Sequence, residues 1–570
     1  MILKGNPVSD GISLGKAYIY KAFNSHVNEA FFQKDELSKM EKAFENSLKS
    51  AEKELDDIIA AFSEDEEKGK IFVAHKEILF DEEIIEMIKN AISTEHKMPD
   101  YAVVEAFEEF IELLSKAKDP VIASRVVDFR DVRNRLVRIL HGEKEKNLSR
   151  LSEPVIIVAY DLLPSDTATI DRKNVIGIIT EVGSSTSHSA IIANSYNIAA
   201  VLGVKNAVSV LKDGEFIGLD ALSGDIYTNM DEKTISDLEK KQKDYLDLRE
   251  KEKEYLNKPF FTRDNKKLQL GLNIGGTESL DGYKYADFVG LFRTEFLYME
   301  NDHIPTEEEQ FIAYKKVLQN ANGKPVTLRT LDIGGDKQLD YLPLEKELNP
   351  FLGNRALRLC FSRPDLFKAQ LRAAMRASLF GELWIMLPMV GSIDDITKAR
   401  KIFDEQKQAL IDEGIAIGLP ESLKFGIMIE IPAIAMIADK VAKIVDFASI
   451  GTNDLCQYLF AVDRMNPALN DYYQPLAPSM IRTLSMIAKA FIKENKPISV
   501  CGELAGDKYG SLILAGLGID KLSMSENHFA YIKAMFSRLN YADIKAAAEK
   551  ALELNTEYDV KLLLNNLLRK

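Results

Sequence analysis

Residues 425–454 read FGIMIEIPAIAMIADKVAKIVDFASIGTND: a short apolar run, a helical stretch after Pro432, and a second apolar run ending in amide and carboxylate side chains. The same alternation extends in both directions. Apolar runs at 268–274, 288–292, 326–331, 383–389, 425–429, 446–450, 497–501 and 521–524 alternate with helical segments. Eight such strand–helix pairs over about 300 residues predict a (β/α)8 barrel of the TIM type, in which chemistry sits where the strands end.

Those ends are rich in reactive side chains. Strand two ends in Arg293 and Glu295, strand three in Arg329, Asp332, Asp336 and Lys337, and strand five in Glu430. Strand six ends in Asn453 and Asp454, strand seven in Cys501 and Glu503, and Arg464 follows strand six by one helical segment. Guanidinium forks match phosphate and carboxylate oxygens in bidentate geometry, so the arginines suggest a small substrate that carries both groups. Glu430 and Asp454, from different strands, suit Mg²⁺, which takes one or two protein carboxylates and completes its shell with substrate oxygens and water. Each residue has a plainer explanation: an arginine paired with a neighbouring carboxylate, Glu430 capping the next helix, Cys501 as inert packing. Independent structural roles give little reason to gather them at one end of five strands.

Upstream the rhythm changes. Residues 35–62 place Leu37, Met40, Phe44, Leu48, Leu55, Ile58 and Phe62 on one helical face, and similar patterns at 71–90, 101–117 and 121–141 complete a helical block. His75 within it is read as structural. The runs 154–159, 175–179, 199–202 and 216–219, with an opening strand at 15–20, predict a compact α/β unit. Residues 231–258 are dominated by Lys, Glu and Asp and read as one solvated helix, about 40 Å long, ending before Pro259. The expected division is an α/β domain of 1–20 and 145–230, a helical subdomain of 21–144, a linker helix of 231–259 and a barrel of 260–570. Inside the α/β unit, Gly183-Ser-Ser-Thr-Ser-His188-Ser-Ala-Ile-Ile-Ala193 runs from a strand through a turn into a helix. A histidine at a helix start meets free backbone N–H groups and the positive end of the dipole, where a phosphoryl group on its ring would be stabilised.

With 73 Lys and Arg against 88 Asp and Glu among 570 residues, the net charge of −15 argues against nucleic acid and anionic membrane surfaces. The N-terminus lacks the apolar core of a signal peptide, and no stretch has the length of a membrane span, so a soluble, cytoplasmic chain is expected. Three cysteines without a CxxC pair support neither disulfides nor a cysteine-rich zinc site.

The histidine stretch, together with LFRTEFLYM (291–299), RTLDIGGDK (329–337), GIMIEIPA (426–433), SIGTNDLCQY (449–458) and CGELAGD (501–507), resembles the enzyme I family of the bacterial phosphoenolpyruvate-dependent phosphotransferase system. The likeness runs from Gly11 to about Ser525 in the family's domain order. It implies a swivelling phosphohistidine domain, a helical subdomain that docks the carrier protein HPr, and a dimeric barrel that binds phosphoenolpyruvate and Mg²⁺. It also implies that His188 is phosphorylated and that Arg293, Arg329, Asn453 and Arg464 bind phosphoenolpyruvate, with Lys337 and Arg355 as further contacts. Glu430 and Asp454 correspond to metal ligands, Asp454 also lying against substrate, and Cys501 to the acid that protonates the enolate. The implied reaction moves the phosphoryl group of phosphoenolpyruvate to His188 and then to a histidine of HPr, the first general step of sugar uptake. Departures from the family pattern are Ser184 for Gly, Asn194 for Arg, Asn354 for Trp and Cys456 for an aliphatic residue. A dikinase would need a further nucleotide-binding domain of some 300 residues, and an inactive regulatory paralogue should have lost ligands that this sequence keeps.

Overall fold

The computed structural model describes residues 2–20, 27, 29–61, 66–115, 126–142, 148, 151, 153–162, 170–183, 189–190, 193, 196–277, 281–299, 301, 303–334, 339, 341–342, 344–345, 347–419, 421–464 and 466–569. It divides into two compact units, Met1–Tyr245 and Leu246–Lys570.

In the first unit, β1 (Ile2–Lys4), β2 (Asn6–Ser9), β3 (Ile12–Tyr20), β4 (Val155–Ala159), β5 (Val175–Thr180), β6 (Ala199–Leu202), β7 (Phe216–Asp220) and β8 (Asp225–Tyr227) form one sheet in the order β1-β8-β7-β3-β4-β5-β6-β2. All five residues of β4 are buried. Ile156 and Val158 join one apolar cluster and Ile157 and Ala159 another, so both faces of the sheet are covered, which is why these strands read as unbroken apolar runs. Strands β1, β2 and β8, absent from the sequence reading, are three or four residues long and too short to show a period.

Between β3 and β4 the chain forms helices Leu37–Ala61, Glu66–Leu79, Glu82–Ser93, Pro99–Ser115 and Val126–Leu140, with their own core around Phe44, Leu55, Ile88, Phe107, Val132 and Leu136. The span read as one helix at 71–90 is two, because Asp81 caps a new start by accepting from Glu83 N and Ile84 N at 3.0 and 3.1 Å. His75 is 1% exposed, its Nε2 lying 3.2 Å from Asp128 and its Nδ1 3.5 Å from Asp131. The charged helix runs from Glu232 to Lys253, shorter than the sequence suggested at about 33 Å. Residues after Lys253 form turns instead, with Tyr255 N bonded to Glu252 O and Lys258 N to Tyr255 O. Near its middle, Lys241 pairs with the fully buried Asp220 and Gln242 donates to Ile12 O at 2.8 Å. Among the described residues no helix is long and apolar enough to cross a membrane.

The second unit is a closed barrel of eight parallel strands: β9 (Gln269–Ile274), β10 (Phe288–Arg293), β11 (Val326–Arg329), β12 (Leu383–Leu387), β13 (Leu423–Ile429), β14 (Phe447–Ile450), β15 (Ile498–Val500) and β16 (Lys521–Met524). Side chains alternate between two environments. Ile385, Leu387, Ile427, Ile429, Ala448 and Ile450 pack outward with the helices, while Leu291, Trp384, Met386, Met428, Phe447 and Cys501 form a separate interior cluster. Trp384 lies 4.8 Å from Phe447, ring centre to ring centre, with Lys424 Nζ 4.2 Å above it. Gly426 makes room for this packing, since a Cβ there would stand 2.4 Å from Phe447 O. The interior parity carries Arg329 and Glu430 to the mouth at the strands' carboxyl end.

Candidate active site

Arg329, at the end of β11, is 7% exposed and lies between two carboxylates: Nη2 bonds Glu295 and Nη1 is 2.9 Å from Asp332 Oδ2. Burial opposes its charge, but Glu295, Asp332 and Glu430 outweigh that and hold its pKa above the ordinary value. Arg355 is held by the other side of Asp332, with Nη2 at 2.9 and 3.1 Å from the two oxygens, and by the Tyr458 hydroxyl at 3.4 Å. Its Nη2 also lies 3.7 Å from Asp454. The two arginines thus share Asp332, a fixed pair of positive groups with one anionic support.

Glu430, 1% exposed, accepts a hydrogen bond from Met389 N at 2.6 Å. Burial first, then Asp454 and Asp332, push its carboxyl well above the usual carboxylate range. Met389 takes a left-handed φ of 55°, and Ala356, next to Arg355, a φ of 53°. Such backbone strain in non-glycine residues aims a donor or a guanidinium at one place. Asp454 stands 3.6 Å from Arg464 Nη2, and Arg464 N donates to Gln457 Oε1 at 3.2 Å. Asn453 Oδ1 accepts from Glu503 N at 3.0 Å, tying the loop after β14 to that after β15. Buried polar atoms without a hydrogen-bond partner among the described residues gather here, Arg329 Nε, Thr452 Oγ1 and Asp454 Oδ1 being three of them, as in a site shaped for a polar ligand.

A cavity of about 270 Å³ opens beside these groups, lined by Asn273, Arg293, Cys501, Glu503 and His528 among others. Arg293 is exposed and faces it. Cys501 is 4% exposed, its Sγ 3.8 Å from Ile450 O, and burial pushes its thiol up to about 11, so it carries its proton at neutral pH. Its carbonyl accepts from Asn273 Nδ2 at 3.0 Å.

The structure therefore brings Arg329, Arg355, Glu430, Asp454, Arg464, Asn453, Cys501 and Arg293 to one end of the barrel. Lys337 and His188 lie outside the described residues, as do Ser184 and Asn194. Around the histidine stretch, Gly183 takes a φ of +117°, and Ser189 and Ala190 are buried and helical. The sequence reading left out Tyr458 and the Met389 amide. Tyr458 sits inside a quoted motif, whereas a backbone N–H leaves no trace in a sequence.

A divalent cation fits the donors present. Glu430 and Asp454 offer carboxylate oxygens, of which Asp454 Oδ1 makes no hydrogen bond among the described residues, while Asp332 is taken by arginines. Among the described residues no cluster of three or more His, Cys, Asp or Glu suited to a metal occurs, and two carboxylates are a set that Mg²⁺ accepts, since it commonly keeps water and substrate oxygens. Replacing Arg329 by methionine would leave Glu295 and Asp332 buried beside an apolar chain. The expected loss is about 3–5 kcal/mol in urea unfolding of the barrel, and a loss below about 1 kcal/mol would mean the guanidinium is not needed to hold these carboxylates.

The chain matches the family described as PEP-utilising enzyme in three parts: the N-terminal domain over residues 4–125, the mobile domain over 151–224 and the PEP-binding domain over 249–541. A phosphoenolpyruvate-protein phosphotransferase of Bacillus subtilis (strain 168) is 40% identical over 562 residues, covering 98% of each chain. That of Listeria innocua serovar 6a is 41% identical over 565 residues, again with 98% of each chain covered. Among solved structures, an NMR solution structure of Enzyme I (nEIt) is 37% identical with a TM-score of 0.38, covering 43% of this chain and 99% of that one.

Proposed function

Because the chain belongs to the phosphoenolpyruvate-protein phosphotransferases, we propose that it takes the phosphoryl group of phosphoenolpyruvate onto His188, releases pyruvate, and passes the group to a histidine of the carrier HPr. The observation that carries this reading is the meeting of Arg329, Arg355, Glu430, Asp454 and Cys501 at the barrel mouth, within the part that matches the PEP-binding domain.

In this reading Arg293, Arg329, Arg355, Arg464 and Lys337 neutralise the phosphate and carboxylate, and Asn453 and Asp454 orient the substrate. Fixed guanidinium groups stabilise a loose phosphoryl transition state without reorganising at the moment of transfer. Mg²⁺ held by Glu430 and Asp454 would supply further charge neutralisation on the phosphate oxygens. As the phosphorus–oxygen bond breaks, the buried Cys501 thiol protonates the enolate at C3. His188 belongs by sequence to the first unit and the phosphoenolpyruvate groups to the second, so transfer requires the reacting atoms to come within about 3–3.5 Å. Residues 21–144 are the proposed HPr-docking subdomain, and the barrel is the proposed dimerisation unit of a cytoplasmic enzyme.

The test is incubation with radiolabelled phosphoenolpyruvate and Mg²⁺, with and without HPr. Acid-labile, alkali-stable label on the chain, removed by HPr, supports the reading, and failure to label would overturn it. Glu430→Gln is expected to raise the Mg²⁺ concentration needed for labelling and to lower turnover by about 10²–10³, the usual worth of one charge-stabilising group. An unchanged Mg²⁺ titration would remove Glu430 from the metal site. In the wild type a cation must displace the proton that burial favours on Glu430, so apparent Mg²⁺ affinity should fall as pH is lowered.

A further inference from the structure

Ser449 lies on β14 in register with Ser499 of β15, and the next pair is Ile450 with Val500. Ile450 and Val500 pack outward, so Ser449, Ser499 and Cys501 face the interior, with Phe447 below. Ser449 is 0% exposed, and its Oγ makes no hydrogen bond among the described residues. On the same interior face the Cys501 side chain lies beside it, near enough for the hydroxyl to favour a thiolate there. A serine wholly enclosed in an apolar barrel costs free energy unless its hydroxyl has something to do.

The surroundings of Cys501 show what that is. Its N–H donates to Ile450 O at 3.2 Å, its carbonyl accepts from Asn273, and its Sγ reaches the Ile450 carbonyl at 3.8 Å. Asn273 in turn accepts from Ser523 Oγ at 2.6 Å. The backbone of Cys501 is therefore pinned on both sides. The Ile450 carbonyl can receive the thiol hydrogen but can do nothing for a thiolate, since it has no proton to give. Ser449 brings an uncommitted hydroxyl to the interior face that carries the sulfur.

We propose that Ser449 is a positioning residue for proton delivery by Cys501, its uncommitted hydroxyl donating a hydrogen bond to the thiolate that forms as the proton leaves. This rests on the phosphotransferase reading above. In the step concerned the Cys501 S–H bond breaks and a C3–H bond forms on the enolate. The enolate electron pair goes into that bond, and the S–H electron pair stays on sulfur as thiolate. The thiolate is stabilised by the Ser449 O–H until a proton from water restores the thiol.

The experiment uses the full-length chain with Mg²⁺, measuring turnover of phosphoenolpyruvate and exchange of the pyruvate methyl hydrogens with deuterium from solvent. Ser449→Ala should slow both about 10- to 100-fold, the worth of one hydrogen bond to a charged group, with KM for phosphoenolpyruvate changed less than twofold. Ser449→Thr, which keeps the hydroxyl, should recover most of the rate. In a Cys501→Ala background the Ser449 substitution should have no further effect, because the two act as one unit. Should Ser449→Ala fold poorly, the Thr and Val variants provide a matched pair that differs chiefly in the hydroxyl. Wild-type exchange in Ser449→Ala or in Ser449→Val would overturn the proposal, as would an equal loss with and without Cys501. If the wild type neither takes up phosphate nor exchanges pyruvate hydrogens, the phosphotransferase reading itself falls.

Discussion

His188→Ala is expected to take up no phosphate from phosphoenolpyruvate or from phosphorylated HPr, while the barrel still binds phosphoenolpyruvate. By sequence His188 follows an apolar run and a Gly-Ser stretch and precedes a helical pattern, and backbone N–H groups at a helix start would favour an added phosphoryl group. Among the described residues, His75 is buried between two aspartates and His528 lines the barrel cavity. Loss of labelling should therefore be complete, with unchanged unfolding. Stoichiometric acid-labile label on the variant would transfer the role to another histidine, and His528 would be the first to replace.

Cys501→Ala is expected to slow pyruvate formation by about 10²–10⁴, the range for a missing general acid. Burial keeps the thiol protonated through the neutral range, so the wild-type group is ready to donate without a prior protonation step. Binding of phosphoenolpyruvate, followed by calorimetry, should survive, because the arginines are held by Glu295 and Asp332 rather than by sulfur. Wild-type turnover in Cys501→Ala would reduce the cysteine to a packing residue of the interior cluster.

The barrel was legible because all eight of its strands are buried on both sides and so appear as apolar runs with polar ends. Arg329, Glu430 and Asp454 stood out as a set, because independent structural roles give little reason to gather charges at the same end of several strands. What the sequence hid is of a different kind. Asp332 serves two arginines at once, which depends on where Arg355 arrives from a later loop. The Met389 amide reaches Glu430 only through a left-handed backbone that no methionine advertises. The helix break at Asp81 was open to detection, since Asp followed by Glu82 and Glu83 is a common helix start, but the apolar spacing ran across it. Ser449 was quoted only as part of a motif, because its isolation appears once the neighbouring strand is in place.

Trp384, packed between Phe447 and Lys424, is the one tryptophan among 570 residues. Its emission therefore belongs to the second unit alone, and the first is spectroscopically silent when tyrosine is not excited. Fluorescence melting reports the barrel in the intact protein, without cutting the chain, while circular dichroism sums both units. Subtracting one curve from the other isolates the first unit. Where a substitution such as Arg329→Met shifts the emission transition and leaves the difference curve in place, its damage is local. Where a ligand of the barrel shifts the difference curve as well, the two units are thermodynamically linked, and the size of that shift measures how strongly.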